Sequence, residues 1–334
     1  MRLLTVSPST PDPALVAEAA HVLRAGGLVA FPTETVYGLG AHALDAAAVQ
    51  RIFAAKGRPS FNPLIAHVPD AAGARALTTA WPDAAARLAR AFWPGPLTLV
   101  LPKRAHVPDV LTAGLPAVAV RVPAHPVALA LLRAAALPVA APSANRFTEL
   151  SPTTAQHVQK ALGDRVDLIL DGGAASVGIE STVVDLTGAR PTLLRPGTLS
   201  VAALAEVLGD VPLPAPSPGR EDAPRPAPGM VERHYAPRAT VWLFDASARD
   251  AMAARLAREA VDARAGALLL SPWDARPAPA LPLPMPDDPA AYAQRLYAAL
   301  HQLDDAGCAV VLVERPPDTP AWQGVRDRIE RASR

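Results

Sequence analysis

Proline decides how this chain can be divided. The stretch VPLPAPSPGREDAPRPAPGM, residues 211–230, is dense in proline and has no apolar periodicity. Proline fixes φ and lacks a backbone donor, so such a segment continues neither a helix nor a central strand. It behaves as a semi-stiff extended linker. The expected organisation is a first region over residues 1–210, a linker over 211–237 and a second region over 238–334. A chain of 334 residues leaves room for one large or two medium domains.

In the first region, short apolar runs alternate with helical patterns. DPALVAEAAHVLRAGG places Leu15, Ala19, Val22 and Leu23 at helical spacing and stops at Gly26 and Gly27. DAAAVQRIFAAKG starts with Asp45 as N-cap, buries Val49, Ile52 and Phe53, and closes on Gly57. LVAF, PLIAHV, LTLVLP, AVAVRVP, LPVAAP, VDLILDGG and STVVDL read as strands, which predicts a mixed α/β domain. Beyond the linker, TVWLFDA, GALLLSPW and CAVVLVE are apolar strands, each followed by a helical segment. That repetition predicts a small parallel three-layer domain.

Charge and cysteine content narrow the function. Lys+Arg of 32 against Asp+Glu of 31 leaves a net charge of +1, which argues against a general nucleic-acid or acidic-membrane binder and leaves local patches open. Cys308 is the single cysteine, so no intrachain disulfide or multi-cysteine metal site can form, and a reducing cytoplasm fits. MRLLTVSPSTPDPALV has no apolar core of signal-peptide length. The long apolar stretch VALALLRAAALPVAAP is broken by Arg133 and two prolines. A soluble cytoplasmic protein without a membrane partner is expected.

Chemistry-bearing residues gather at strand ends. GLGAHA, residues 38–43, fits a dinucleotide fingerprint, but no acidic residue stands where a ribose hydroxyl would need it; its glycines are expected in a tight turn. AKGRPSFNPL, residues 55–64, holds Lys56 and Arg58 without a carboxylate. Lys56 could complement a helix dipole and Arg58 could be a solvated loop cation; alternatively both converge on phosphate oxygens, with Pro59 and Pro63 stiffening the loop. In APSANRFTELSPT, Ser143 and Asn145 follow a strand closed by Pro142 and suit either a ligand or a turn. PTETVYGLG brings Thr33, Glu34 and Thr35, and GIESTVVDL brings Glu180, Ser181 and Thr182. Arg121 interrupts a strand of valines, so it sits at an exposed edge or is paired in a cavity, ideally with a carboxylate. Polar groups at the mouths of several strands are how an α/β pocket is built.

In order, FPTETVYGLG, KGRPSFNPLIAHV, FWPGPLTLVL, VAVRVPAHP, PVAAPSAN, DGG…GIESTVVDL and LLRPG resemble the YrdC-like threonylcarbamoyl-AMP synthases over roughly residues 10–200. PGMVERHYAP and the region after it resemble the linker and small Rossmann-like C-terminal domain of the long, two-domain form. The resemblance implies a twisted mixed sheet with helices around a concave pocket. It also implies a reaction in which L-threonine, bicarbonate or CO2, and ATP with Mg²⁺ give threonylcarbamoyl-AMP and pyrophosphate. The product would feed a tRNA threonylcarbamoyl-transfer machinery and the t6A modification.

By the same resemblance, Lys56 and Arg58 act on the phosphates, and Asn62, Ala117, Ser143, Asn145, Ser151, Arg195 and Tyr235 join them around ATP. Thr35, His67, Arg121, Ala141 and Ser181 hold threonine, while His234 and Tyr235 form a lid; no metal ligand is identified. Tyr235 could equally be an anchor on the C-terminal domain. RFTEL stands where the family commonly has a Ser-Gly pair, which puts the path of the loop before Ser151 in question. An RNA-binding module, or a carbamoyl transferase or hydrolase on the same fold, are the rival readings.

Overall fold

The structure is a computed structural model that describes residues 1–209, 234–260 and 263–334; the expected linker ahead of His234 lies outside the described residues. Ten short strands build the first sheet: β1 (Arg2–Thr5), β2 (Val29–Phe31), β3 (Gly38–His42), β4 (Ile65–His67), β5 (Leu97–Pro102), β6 (Ala117–Arg121), β7 (Val139–Ala140), β8 (Leu168–Asp171), β9 (Thr182–Asp185) and β10 (Thr192–Arg195). They are ordered β1-β8-β2-β3-β7-β4-β6-β5-β9-β10, with parallel and antiparallel neighbours mixed.

Both faces of this sheet are covered. Val29 and Phe31 of β2 enter one core with Val16, Leu23, Leu131 and Leu132 of helices Pro13–Arg24 and Pro126–Ala135. Leu28 and Ala30, alternating with them, enter the other core with Val49 and Ile52 of helix Ala46–Lys56. A strand buried on both faces must be apolar throughout, which is why LVAF reads as an unbroken run.

Helix Ala46–Lys56 has the ends its sequence predicts. The Asp45 carboxylate accepts from the Ala47 and Ala48 amides, and Gly57 closes the helix at φ +62. That left-handed residue turns the chain straight into Arg58.

GLGAHA departs from expectation. Its glycines lie in β3, paired antiparallel with β2 and β7, and not in a turn. A Cβ on Gly40 would sit 2.9 Å from both the Phe31 ring and Val139, so glycine here clears space for Phe31 under the sheet.

The second sheet contains β11 (Thr240–Phe244), β12 (Ala265–Leu269), β13 (Leu281–Pro284) and β14 (Val310–Glu314) in the order β11-β14-β12-β13, all parallel. β13, LPLP, was not predicted; two prolines argue against a strand, and they are tolerated because β13 is an edge. The two sheets meet across a shared apolar cluster. Val36, Leu150 and Ile179 from one side pack with Tyr292, Leu296, Tyr297 and Trp322 from the other. The contact is close enough that a Cβ on Gly324 would stand 2.2 Å from the Gly197 carbonyl oxygen. No helix among the described residues is long and apolar enough to cross a membrane.

Candidate active site

The strand ends surround a partly open cavity of about 40 Å³. Of the residues expected around ATP and threonine, Thr35, Arg58, His67, Arg121, Ala141, Ser143, Ser181, Arg195, His234 and Tyr235 line it. Lys56, Asn62, Ala117, Asn145 and Ser151 stand outside that lining.

One wall is built around Arg121, the last residue of β6. It is 4% exposed, and its Nη2 donates to Glu34 Oε1 at 2.7 Å while Nε donates to the Gly95 carbonyl at 3.3 Å. The second Glu34 oxygen accepts from the Ala124 amide at 3.0 Å. Arg121 is therefore the paired-in-a-cavity case, and Glu34 is the carboxylate. Beside it in register is His67, whose Nδ1 finds no hydrogen-bond partner among the described residues. Burial, and then the Arg121 charge, push His67 down to about 3, so the ring is neutral. Thr33 and Thr35 share a hydroxyl contact at 2.8 Å, and Ser181 Oγ lies 2.8 Å from Thr98 Oγ1.

A second part of the lining carries Arg58 and Arg195. Arg195 ends β10 and donates from Nε and Nη2 to the Ser181 carbonyl, with Nη2 also 3.1 Å from Ser181 Oγ. Arg58 donates to the carbonyls of Asn62 and Pro63 at 3.1 and 3.0 Å and lies 5.9 Å from the Phe147 ring centre. Burial is the main force disfavouring the Arg58 cation, with Tyr235 opposing that loss and Arg195 adding to it. Two guanidiniums facing one small cavity are poised for an anion.

The residues outside the lining have definite jobs. Lys56 is buried and donates to the carbonyls of Ser143 and Asn145, both at 2.5 Å, so it ties the end of its helix to the S-A-N turn. Burial, and then Arg58, hold its pKa well below the ordinary lysine value. Asn145 donates to the carbonyls of Arg146 and Glu149, which fits the turn reading. Ser151 is fully buried and donates to Glu180 Oε1. Asn62 is fully buried, with neither amide atom hydrogen-bonded among the described residues. Ala117 borders a separate apolar hollow of about 380 Å³ with Pro63, Leu64, Val100 and Ala119.

Over the cavity sits Tyr235, 1% exposed and held at φ +61. A non-glycine residue in that region costs on the order of 1–3 kcal/mol, so the surroundings must hold it there. They do: the ring centre lies 6.0 Å from that of Tyr297, Arg328 stands 5.0 Å from it, and the next amide, Ala236, donates to Thr148 at 2.9 Å. His234 packs edge-on against Phe147. Tyr235 thus lines the cavity and packs on the second sheet's domain at once.

RFTEL also resolves physically. Thr148 adopts φ +70, a glycine-like conformation in a β-branched residue, and its carbonyl receives the Ala236 amide. Two partners were not read from sequence. Glu34 and Arg121 are 87 positions apart, and Arg328, the partner of Glu180, lies 148 positions beyond it in an ordinary charged helix.

A family model described as "Telomere recombination" matches residues 21–197, and one described as "Threonylcarbamoyl-AMP synthase, C-terminal domain" matches residues 199–334. A threonylcarbamoyl-AMP synthase of Pyrococcus abyssi is 42% identical over 320 residues, covering 94% of this chain and 93% of the relative. One of Schizosaccharomyces pombe is 36% identical, covering 99% and 90% respectively. The crystal structure of P. abyssi Sua5 complexed with L-threonine superposes with a TM-score of 0.91 at 39% identity, covering 100% of this chain and 98% of that one. With both halves matched and the fold shared from end to end, the chain belongs to the Sua5/YrdC family of threonylcarbamoyl-AMP synthases, in its long two-domain form.

Proposed function

We propose that this chain forms threonylcarbamoyl-AMP and pyrophosphate from ATP, L-threonine and bicarbonate or CO2, at the cavity beneath Tyr235. The observation that carries the reading is the division of one cavity into two walls. Arg58 and Arg195 make up one, and Thr35, His67, Arg121 and Ser181 the other; the two join where Arg195 Nη2 lies 3.1 Å from Ser181 Oγ. A guanidinium is a natural partner for an amino-acid carboxylate, and two more suit a polyphosphate.

Threonine would bind with its carboxylate on Arg121, which Glu34 already orients, and with its polar end near Thr35, Ser181 and neutral His67. A neutral imidazole beside Arg121 adds no competing charge and can accept or donate one hydrogen bond. The neutral threonine amine attacks the carbon of CO2 and loses a proton to give a carbamate; starting from bicarbonate, the same step releases water instead. A carbamate oxygen then attacks the α-phosphorus in line, the bond to the bridging oxygen breaks, and pyrophosphate leaves with that electron pair. No protein nucleophile is needed. The work is positioning, and stabilisation of developing negative charge by Arg58 and Arg195.

Lys56 acts at one remove, by fixing the S-A-N turn that carries Ser143. Asn62, with a buried amide free to pair, and Ala117, beside the apolar hollow, suit the nucleoside end. A cavity of about 40 Å³ is far below the ~300 Å³ of ordinary ligand pockets, so on this reading Tyr235 and His234 swing away to admit ATP. Once closed, they keep water from a short-lived carbamate.

Among the described residues, no group of three His, Cys, Asp or Glu side chains could hold a metal, and the carboxylates nearest the cavity, Glu34 and Glu180, are committed to arginines. The residues present do not make a dedicated Mg²⁺ site. Mg²⁺ would arrive on the phosphates, retaining most of its waters. Delivery of the product to a tRNA-modifying partner in the cytoplasm belongs to this same reading.

The test is incubation with ATP, bicarbonate and each amino acid in turn, following pyrophosphate and the adenylate product. Threonine-dependent release with a threonylcarbamoyl product is expected. Release that ignores the amino acid, or salt-sensitive RNA binding without turnover, overturns the reading.

A further inference from the structure

We propose that Arg328, far outside the strand-end motifs, is a positioning residue for the nucleotide wall: it masks the Glu180 carboxylate from the polyphosphate. Among the described residues, Glu180 is the only carboxylate lining the cavity, and it shares that lining with Arg58 and Arg195. Left bare, it would cancel part of their charge and repel the phosphates. Arg328 prevents this from behind. Its Nε donates to Glu180 Oε2 at 2.7 Å, Nη2 approaches the Glu180 carbonyl at 3.4 Å, and the side chain has no solvent exposure.

The same guanidinium sets the neighbouring parts. Nη1 donates to the carbonyl of Pro196, the residue after Arg195, at 3.0 Å. The guanidinium carbon lies 5.0 Å from the Tyr235 ring centre. Tyr297, also from the second domain, donates to Glu180 Oε2 at 3.1 Å, and Ser151 donates to the other oxygen. Burial works to raise the Glu180 pKa; Arg328 first and Arg195 second outweigh it and hold it below the usual carboxylate range.

Gluing the domains together does not explain this choice of residues. A buried ion pair adds little net stability over a well-packed apolar pair, whereas a buried carboxylate stripped of its partner is costly. The pair earns its place by standing on the wall of the cavity. The inference rests on the ATP reading above, and it gives the C-terminal domain a part in nucleotide binding without a ligand contact of its own.

Full-length wild type, Arg328→Met, Arg328→Lys and the double variant Arg328→Met/Glu180→Gln are to be compared. The measurements are pyrophosphate release at varied ATP and threonine, calorimetric binding of a non-hydrolysable ATP analogue, and thermal melting. Arg328→Met should raise the ATP KM and the analogue Kd by roughly tenfold or more, with the threonine KM within about twofold. The double variant should recover most of that loss, because the exposed charge is gone. Arg328→Lys should fall between them, keeping the charge and losing the fork. Equal losses for ATP and threonine, or a double variant as weak as Arg328→Met, overturn the proposal. If Arg328→Met does not fold, the double variant decides it: analogue binding within about threefold of wild type supports masking, and a tenfold loss refutes it. A wild type that binds the analogue yet releases no pyrophosphate with any amino acid would instead sink the proposed reaction.

Discussion

The two walls of the cavity hold their buried carboxylates in different ways, although the arginines of both find acceptors in the first sheet's own domain. On the amino-acid wall, Arg121 finds Glu34 and Gly95 within the first sheet's own domain, and among the described residues the second domain gives that pair no side-chain hydrogen bond. On the nucleotide wall, Glu180 is held by Arg328 and Tyr297, and the Ser151 carbonyl by His301, all from the second domain. A wall closed locally can be disturbed only through its own residues. One propped from a second domain can also be disturbed by anything that loosens the seam, which on the proposed assignment of the walls would tie nucleotide binding to domain docking.

The largest expected effect breaks the nucleotide wall at its centre. Arg58→Ala removes a buried cation that faces the cavity, worth a few kcal/mol in a water-excluded site, so pyrophosphate release should fall roughly a hundredfold or more. Threonine binding by calorimetry should be unaffected; a matching loss there would mean the walls are not separate. Next comes the amino-acid wall. Arg121→Lys keeps a charge beside Glu34 and loses the two-pronged guanidinium, so the threonine KM should rise about tenfold while the ATP KM barely moves. A larger change in ATP than in threonine would reverse the assignment of the walls.

A smaller effect sharpens the contrast through pH. His157 of helix Ala155–Leu162 and His301 of helix Pro289–Asp305 stack across the domain seam with ring centres 3.8 Å apart. Burial, and then Lys160, pushes His157 down to about 4; burial, and then His157, pushes His301 down to about 3. The unfolded chain takes up these protons near pH 6.5, and the folded chain resists until about pH 4 or 3. The unfolded state therefore binds more protons over that interval, so stability is full above it and falls as pH drops through it. Melting temperature should decline steadily below pH 6.5, and His301→Gln should shallow the slope. A flat melting profile between pH 6.5 and pH 5 in the wild type would show that the histidines do not couple the seam to proton concentration.

This asymmetry also explains what could be read from the sequence. The local features were legible: Asp45 and Gly57 bound their helix as predicted, and LVAF, LTLVLP and CAVVLVE are strands. Polar residues at strand ends were legible as a pocket for the same reason, since alternation and strand closure are local properties. What a residue pairs with is not local. Glu34 stood in view as a polar interruption, yet nothing in PTETVYG says that its partner lies at the end of β6. Arg328, in a helix reading QGVRDRIERA, looks like any solvated charge and is among the most buried side chains in the molecule. GLGAHA misled because glycine signals both turns and close packing; only the Phe31 ring beneath Gly40 decides between them. Lys56 looked like a free cation because its acceptors are backbone carbonyls nearly 90 positions away, which no side-chain pattern reveals.

The smallest expected effect tests the seam at a single backbone position. Thr148 holds φ +70, where an L-residue with a Cβ pays roughly 1–2 kcal/mol and glycine does not. Glycine in turn adds about 0.5–1 kcal/mol of unfolded-state entropy to lose. Thr148→Gly should therefore come out near neutral to slightly stabilising, by up to about 1 kcal/mol, or roughly one to two degrees of melting temperature in a chain of this size. The bond that joins this loop to the segment carrying Tyr235 runs from the Ala236 amide to the Thr148 carbonyl, and among the described residues the threonine hydroxyl makes no side-chain hydrogen bond. A glycine can keep the same backbone path, so turnover and both KM values should stay within about twofold. Clear destabilisation by Thr148→Gly would mean that the threonine side chain, and not the backbone conformation, sets the loop's path. Ser151 and Glu180 would then depend on that side chain as well, and the nucleotide wall would be more locally determined than the contrast with Arg121 implies.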